Sequence, residues 1–192
     1  MDLELILAEY RAELDRRFKL GGMVNFPVGV LVIIASAMAW LASGFPYAAS
    51  DTATAFFFTF MISASLAGVT VIVHVVLSHS GYEYHMLPRA AELEEEFKEF
   101  QQWKEGQVQR TNELLAWIDE YEPATFVSTA STESAEAELA LRIREYAIHA
   151  TDANAVNNDK KAKHLHWATT AIVVQLVFAA LAGIAYLVAK QA

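Results

Sequence analysis

Apolar residues in this chain are gathered into three long runs, 24–45, 53–78 and 167–189, and none of the three contains Asp, Glu, Lys or Arg. Each is longer than the ~20 residues an α-helix needs to cross a hydrocarbon core about 30 Å thick. A buried helix of a soluble core tolerates a run of about 10–14 such residues, so the pattern predicts three membrane spans. The polar stretches have the other helical signature, apolar residues recurring at threes and fours. In the first 22 residues Leu3, Leu7, Tyr10, Leu14 and Phe18 share a face opposite Arg11 and Asp15, an amphipathic helix able to lie on a membrane or pack on a helical partner. "GGMVNFP" then turns the chain into the first span.

Between the second and third runs, residues 83–166 carry two further stripes. Leu93, Phe97, Phe100, Val108, Thr111, Leu115 and Ile118 form the first, with Pro88 fitted to its opening turn and Gly106 as a point of bending. Leu139, Ile143, Tyr146, Ala150, Ala153, Asn154, Asn157, Lys161 and His164 form the second. Between them "YEPATFVSTASTES" reads as a loop stopped by Pro123, with a new helix starting at Ser131 or Thr132. Arms of equal length, 89–121 and 133–166, joined by one loop predict an antiparallel hairpin about 50 Å long. No Pro or Gly interrupts the chain from Glu133 to Gly183, so the returning arm and the third span should be one helix of roughly 50–58 residues. The expected fold class is an all-α integral membrane protein: an amphipathic N-terminal helix (1–22), a two-span hairpin (23–80), a long cytoplasmic helical hairpin (83–166), and a third transmembrane helix (167–190) continuous with the second hairpin arm.

Composition supports this reading. Of 192 residues 55% are hydrophobic and only 19% charged, too apolar for an ordinary soluble domain. Five acids and four bases precede the first run, which is too long for a signal-peptide core, so a retained span is expected. Basic residues fix the orientation. Arg11, Arg16, Arg17 and Lys19 precede the first span, and Lys160, Lys161 and Lys163 stand hard against the third. The short loop "SGFPYAASDTAT" has one acid and no base. The N-terminus and the hairpin are therefore placed in the cytoplasm and the C-terminus outside, in a multi-pass membrane protein, with Trp40, Tyr47 and Trp167 as interfacial aromatics. The chain has no cysteine, which removes disulfides, thiolate nucleophiles and Cys-ligated metals.

Several positions bear on chemistry. Thr59, Ser63, Ala67, Thr70 and His74 lie on one face of the second span, and Gln175, Ala179, Gly183 and Tyr186 on one face of the third. In lipid such residues belong against another helix or against water. They read first as close helix packing and second as a pore or proton path, with Gln175 placed to hydrogen-bond across to a neighbouring helix. Asn154, Asn157 and Asn158 read first as buried amides that fix helix register, and second as a ring of amides lining a vestibule.

"RIREYAIH" resembles the Arg-x4-His spacing of HEPN-type ribonucleases at Arg144 and His149, although Glu145 stands where that family has an amide or Asp. Residues 83–166 hold 17 acids against nine bases, a balance that repels RNA and argues against a nucleic-acid partner. His79 and His85 flank Gly81, and His164 and His166 flank Leu165. Two positions apart on a helix they diverge, so no metal site is assigned. No phosphate-binding glycine loop, HExxH or nucleophile elbow is present. No catalytic residue and no cofactor is expected.

The basic amphipathic N-terminal helix, the paired spans with a short loop, and "GYEYHMLPRAAELEEEF" directly after them resemble the SLATT-type small membrane effectors of prokaryotic conflict and defence systems, over residues 9–100. This chain adds a third span. The resemblance implies oligomerisation and breaching of the membrane when a sensor fires, and the sensor would be a separate protein or nucleotide-sensing partner. The leading expectation is therefore a homo-oligomer in the lipid bilayer, in a bacterial inner membrane, that forms a pore or channel as an effector of a defence system. Its alternative is a membrane-anchored scaffold docking a partner through the acidic hairpin, and a lesser one is a membrane-tethered HEPN-like ribonuclease.

Overall fold

The structure, a computed structural model, describes residues 3–47, 51–80, 82–115 and 127–191. Five helices account for nearly all of them: α1 Leu3–Met23, α2 Asn25–Gly44, α3 Asp51–His79, α4 Ala90–Leu115 and α5 Val127–Gln191. No strand occurs among the described residues. Three helical stretches are long and apolar enough to cross a membrane: Leu3–Gly44, Thr52–His79 and Glu136–Gln191.

Local chemistry sets the breaks. Only Val24 separates α1 from α2. Pro27, buried in the first turn of α2, has no N–H to give and its ring crowds the carbonyl four residues back, so the ladder is interrupted near Met23 rather than at Gly21–Gly22. Phe45 adopts an extended conformation (φ −69°, ψ 131°), as a residue before proline must, and ends α2. Residues 82–89 are not helical. Pro88 therefore lies two positions before α4, not in its first turn. Arg89 occupies the cap, its N–H donating to Glu92 Oε2 at 2.9 Å. Gly106 lies inside α4 without ending it.

α5 is 65 residues long. It begins at Val127, inside the Ser/Thr stretch expected to be loop, because nothing after Pro123 breaks a helix. The turn between α4 and α5 lies outside the described residues.

The chain divides into two compact units: Met1–Ala12 with Tyr84–Asn154, and Glu13–Glu83 with Ala155–Ala192. In the first, α4 and α5 meet where residues 96–103 face residues 138–146. Tyr146 Oη donates to Glu96 Oε1 at 3.1 Å, and Phe100 and Trp103 share an open cleft with Leu139 and Arg142. Ile6 and Tyr10 of α1 are buried here. The Tyr10 hydroxyl accepts from Leu87 N–H at 3.2 Å and donates to the sulfur of Met86 at 3.6 Å.

The second unit holds the three apolar helices. Ile34 and Met38 of α2, Ala64 and Val71 of α3, and Ala168, Ala171 and Ile172 of α5 form one core cluster. Phe45, Ala53, Phe57, Ala182, Ala185, Tyr186 and Ala189 form another. On α5 the buried positions Asn158, Lys161, Leu165, Ala168, Ile172, Gln175, Ala182, Tyr186 and Ala189 keep to one face at steps of three and four. Small side chains on that face let backbones approach closely, the usual means of helix association in lipid. Phe45 stacks on Phe57 with centroids 4.0 Å apart and closes one end.

Candidate functional site

The face of α3 turned to this core is set by Ala53, Phe57, Ala64, Ala67, Gly68, Val71 and Ser78. The stripe of small and polar residues lies on its flank. Ala67 is buried, Ser63 and His74 are half-buried, and Thr59 and Thr70 are turned away from the chain's own core. Both threonine hydroxyls donate to carbonyls one turn back, Thr59 to Ala55 (2.8 Å) and Thr70 to Leu66 (3.0 Å). Ser65 does the same to Met61 at 2.8 Å. These hydroxyls satisfy their donor requirement within the helix and tolerate lipid, water or another helix equally.

Gln175 is only 2% exposed. The amide lies against Gly68: a Cβ there would fall 2.7 Å from Gln175 Nε2, so a larger residue would oblige the amide end to shift. Gln175 Oε1 has no hydrogen-bond partner among the described residues, and no bond from this amide to a neighbouring helix is seen. The residue lies at the floor of an open groove walled by Leu31, Ala35, Met38, Gly68 and Ile72. Its face-mates diverge: Tyr186 is buried, with Gly44 against its hydroxyl, while Ala179 and Gly183 are half-buried.

Where the apolar part of α5 begins, the structure pairs two histidines that the sequence separates by 90 positions: His74 Nδ1 and His164 Nδ1 are 3.1 Å apart. Which ring donates and which accepts is set by the tautomer of each. Trp167 stacks on His74 at 6.5 Å. Burial lowers the His164 pKa below the ordinary imidazole value, helped by the nearby charges of His74 and Lys163. Sequence spacing compared His164 with His166 and could not show this pairing; the signal available was that His74 and His164 both stand at span ends.

The three asparagines converge on backbone. Asn154, fully buried, grips His85: its Oδ1 accepts from His85 N–H and its Nδ2 donates to His85 C=O, both at 2.9 Å. This is the pairing a neighbouring strand would give, supplied by one side chain to a segment outside any helix. In the second unit Asn157 Nδ2 donates to the Glu83 carbonyl at 2.6 Å. Asn158 Nδ2, also fully buried, donates to both Glu13 C=O and Glu13 Oε2 at 2.8 Å. Here α1 is tied to α5 again by Arg16, whose guanidinium meets Asp159 at 2.6 Å and Glu13 at 3.6 Å. The Asp159 bond holds the Arg16 pKa above its usual value. Along α1, Tyr10 is buried as its pattern suggested, Ile6 and Leu20 are buried as well, and Phe18 is 72% exposed.

Arg144 is half-buried and His149 exposed; the nearest aromatic partner of His149 is His85, 6.2 Å between ring centroids. Among the described residues no group of three or more His, Asp or Glu side chains is placed to hold a metal ion. Comparison with protein-family models, curated proteins and solved structures finds no match to this chain.

Proposed function

We propose that this chain is a membrane-embedded homo-oligomer whose spans assemble into a pore, acting as a membrane effector in bacterial defence. The observation that carries this reading is the flank of α3. Thr59 and Thr70 lie on the side of the helix that the chain's own core leaves uncovered. Hydroxyls bonded within their own helix tolerate lipid, yet polar positions in membrane helices are enriched where they meet a neighbouring helix or water, and further copies of the chain would supply either. The likeness to SLATT-type effectors agrees with this, and the basic residues at the cytoplasmic span ends set the orientation: N-terminus and helical hairpin inside, C-terminus outside. The trigger would come from a separate partner. The test is conductance of purified protein in planar bilayers. Wild type should conduct, and the Thr59→Leu/Thr70→Leu pair should assemble yet lose conductance; an assembled double variant that conducts like wild type would sink the pore.

A second reading is a scaffold, favoured by one feature of the first unit. Trp103 is 59% exposed beside a cleft bordered by Glu96, Glu99 and Glu138. A large aromatic among carboxylates suits a basic amphipathic segment of a partner protein. Under this reading Trp103→Ala abolishes partner capture while the threonine substitutions do nothing.

A further inference from the structure

The groove over Gln175 lies between α2 and α3, wholly within the second unit. It is walled from Leu31 to Ala42 on one helix and from Met61 to Ile72 on the other, a length of about 16 Å on each at 1.5 Å per residue. Its volume is about 480 Å³, within the roughly 300–1,000 Å³ of small-molecule sites. Among the described residues no charged and no aromatic side chain lines it. Ser65 and Gln175 are its polar side chains, and the Ser65 hydroxyl already donates to the Met61 carbonyl.

Gln175 is thus the group a ligand would meet. It is only 2% exposed. Its Nε2 end lies against Gly68, which lines the groove and has no side chain to cover the amide. Its Oε1 end has no donor among the described residues. Turning the amide about its last side-chain bond exchanges the two ends and brings the unpartnered oxygen to Gly68. A buried oxygen of this kind is costly until something donates to it.

Depth narrows the occupant. Gln175 is eight residues into the third run, about 12 Å beyond its start. If that run spans the bilayer, this is hydrocarbon, where a charged head is strongly disfavoured and phospholipid headgroups do not lie. The occupant is therefore uncharged. With no aromatic wall to stack on a ring, the groove suits an aliphatic chain. A hydroxyl both donates and accepts, so it pairs with whichever end of the amide faces it.

We propose that this groove binds a long-chain aliphatic alcohol, its hydroxyl hydrogen-bonded to the Gln175 amide beside Gly68. Leu31 stands 3.6 Å from the point where a Gly68 Cβ would lie, so the chain runs the longer way, towards Ala42 and Met61. Neither a pore nor an oligomer is required.

The test is photolabelling of the full chain in phosphatidylcholine nanodiscs with a tetradecanol that carries a diazirine near its methyl end, the labelled residues being read by peptide mass mapping. Label should fall on residues 31–42 and 61–72. Unlabelled tetradecanol should displace it about fivefold better than tetradecane, the worth of one hydrogen bond of ~1 kcal/mol. Gln175→Leu should keep the groove and remove that preference. Ala39 lines the groove and is exposed, so Ala39→Phe should fill the space and abolish labelling, while Ala37→Phe, on the far side of α2, should label like wild type. The proposal is overturned if label spreads evenly over the apolar helices, or if alcohol and alkane compete equally in wild type. It is also overturned if Gln175→Leu retains the preference, or if a photoreactive residue at position 39 cross-links to a second copy of the chain while tetradecanol labels nothing.

Discussion

Gln175 shows how much a single buried polar group can decide. Its amide lies against Gly68, and its carbonyl oxygen is left without a donor among the described residues. Replacing an unpaired buried amide by an apolar group of similar size is near-neutral or stabilising. Gln175→Leu should therefore leave the melting temperature in detergent unchanged or raise it; a marked loss in Gln175→Leu would reveal a donor that reaches this oxygen. Asn154 is the opposite case, with both amide ends used. Asn154→Leu orphans the His85 N–H and C=O, at about 1–3 kcal/mol for each group that water cannot reach, and should speed amide exchange at His85 before any global unfolding. The sequence placed all three asparagines on or beside a buried stripe but could not name their partners, because these are backbone atoms 69 to 145 positions away.

At the scale of elements, the apolar runs were legible because a charge-free stretch that long has few other places to go. The inner face of α5 was partly legible: Gln175 and Tyr186 were placed on it, yet the line of Ala168, Ala171, Ala182 and Ala185 that packs against α2 and α3 has no polar contrast in an all-apolar run. Enlarging one of these, as in Ala168→Phe, should destabilise the helix packing by about 1–3 kcal/mol or more. On α1 the expected face is met in part: Tyr10 is buried and Leu3, Leu7 and Leu14 are half-buried, while Phe18 is exposed and Ile6 and Leu20 are buried instead. Packing of α3 on α5 also carries a pH dependence. The folded pKa of His164 is depressed below its ordinary 6.5, so the unfolded chain binds the extra proton and stability rises with pH. The contribution is fully present above about 6.5 and declines as the pH falls from there through the folded value. Thermal unfolding between pH 8 and pH 5 should show this loss in wild type and a smaller one in His164→Gln.

For the whole molecule the central claim is assembly in the membrane. Three apolar helices make a minimal bundle, and their common core leaves the Thr59–Thr70 flank of α3 uncovered. Whether that flank meets lipid or further copies cannot be written in one chain's pattern, because self-satisfied hydroxyls are compatible with both environments. The most direct measurement is the copy number and symmetry of the protein in lipid nanodiscs by particle imaging. The account predicts a closed ring of several copies with Thr59 and Thr70 turned to the axis. A population of monomers alone, with that flank against lipid, would contradict it.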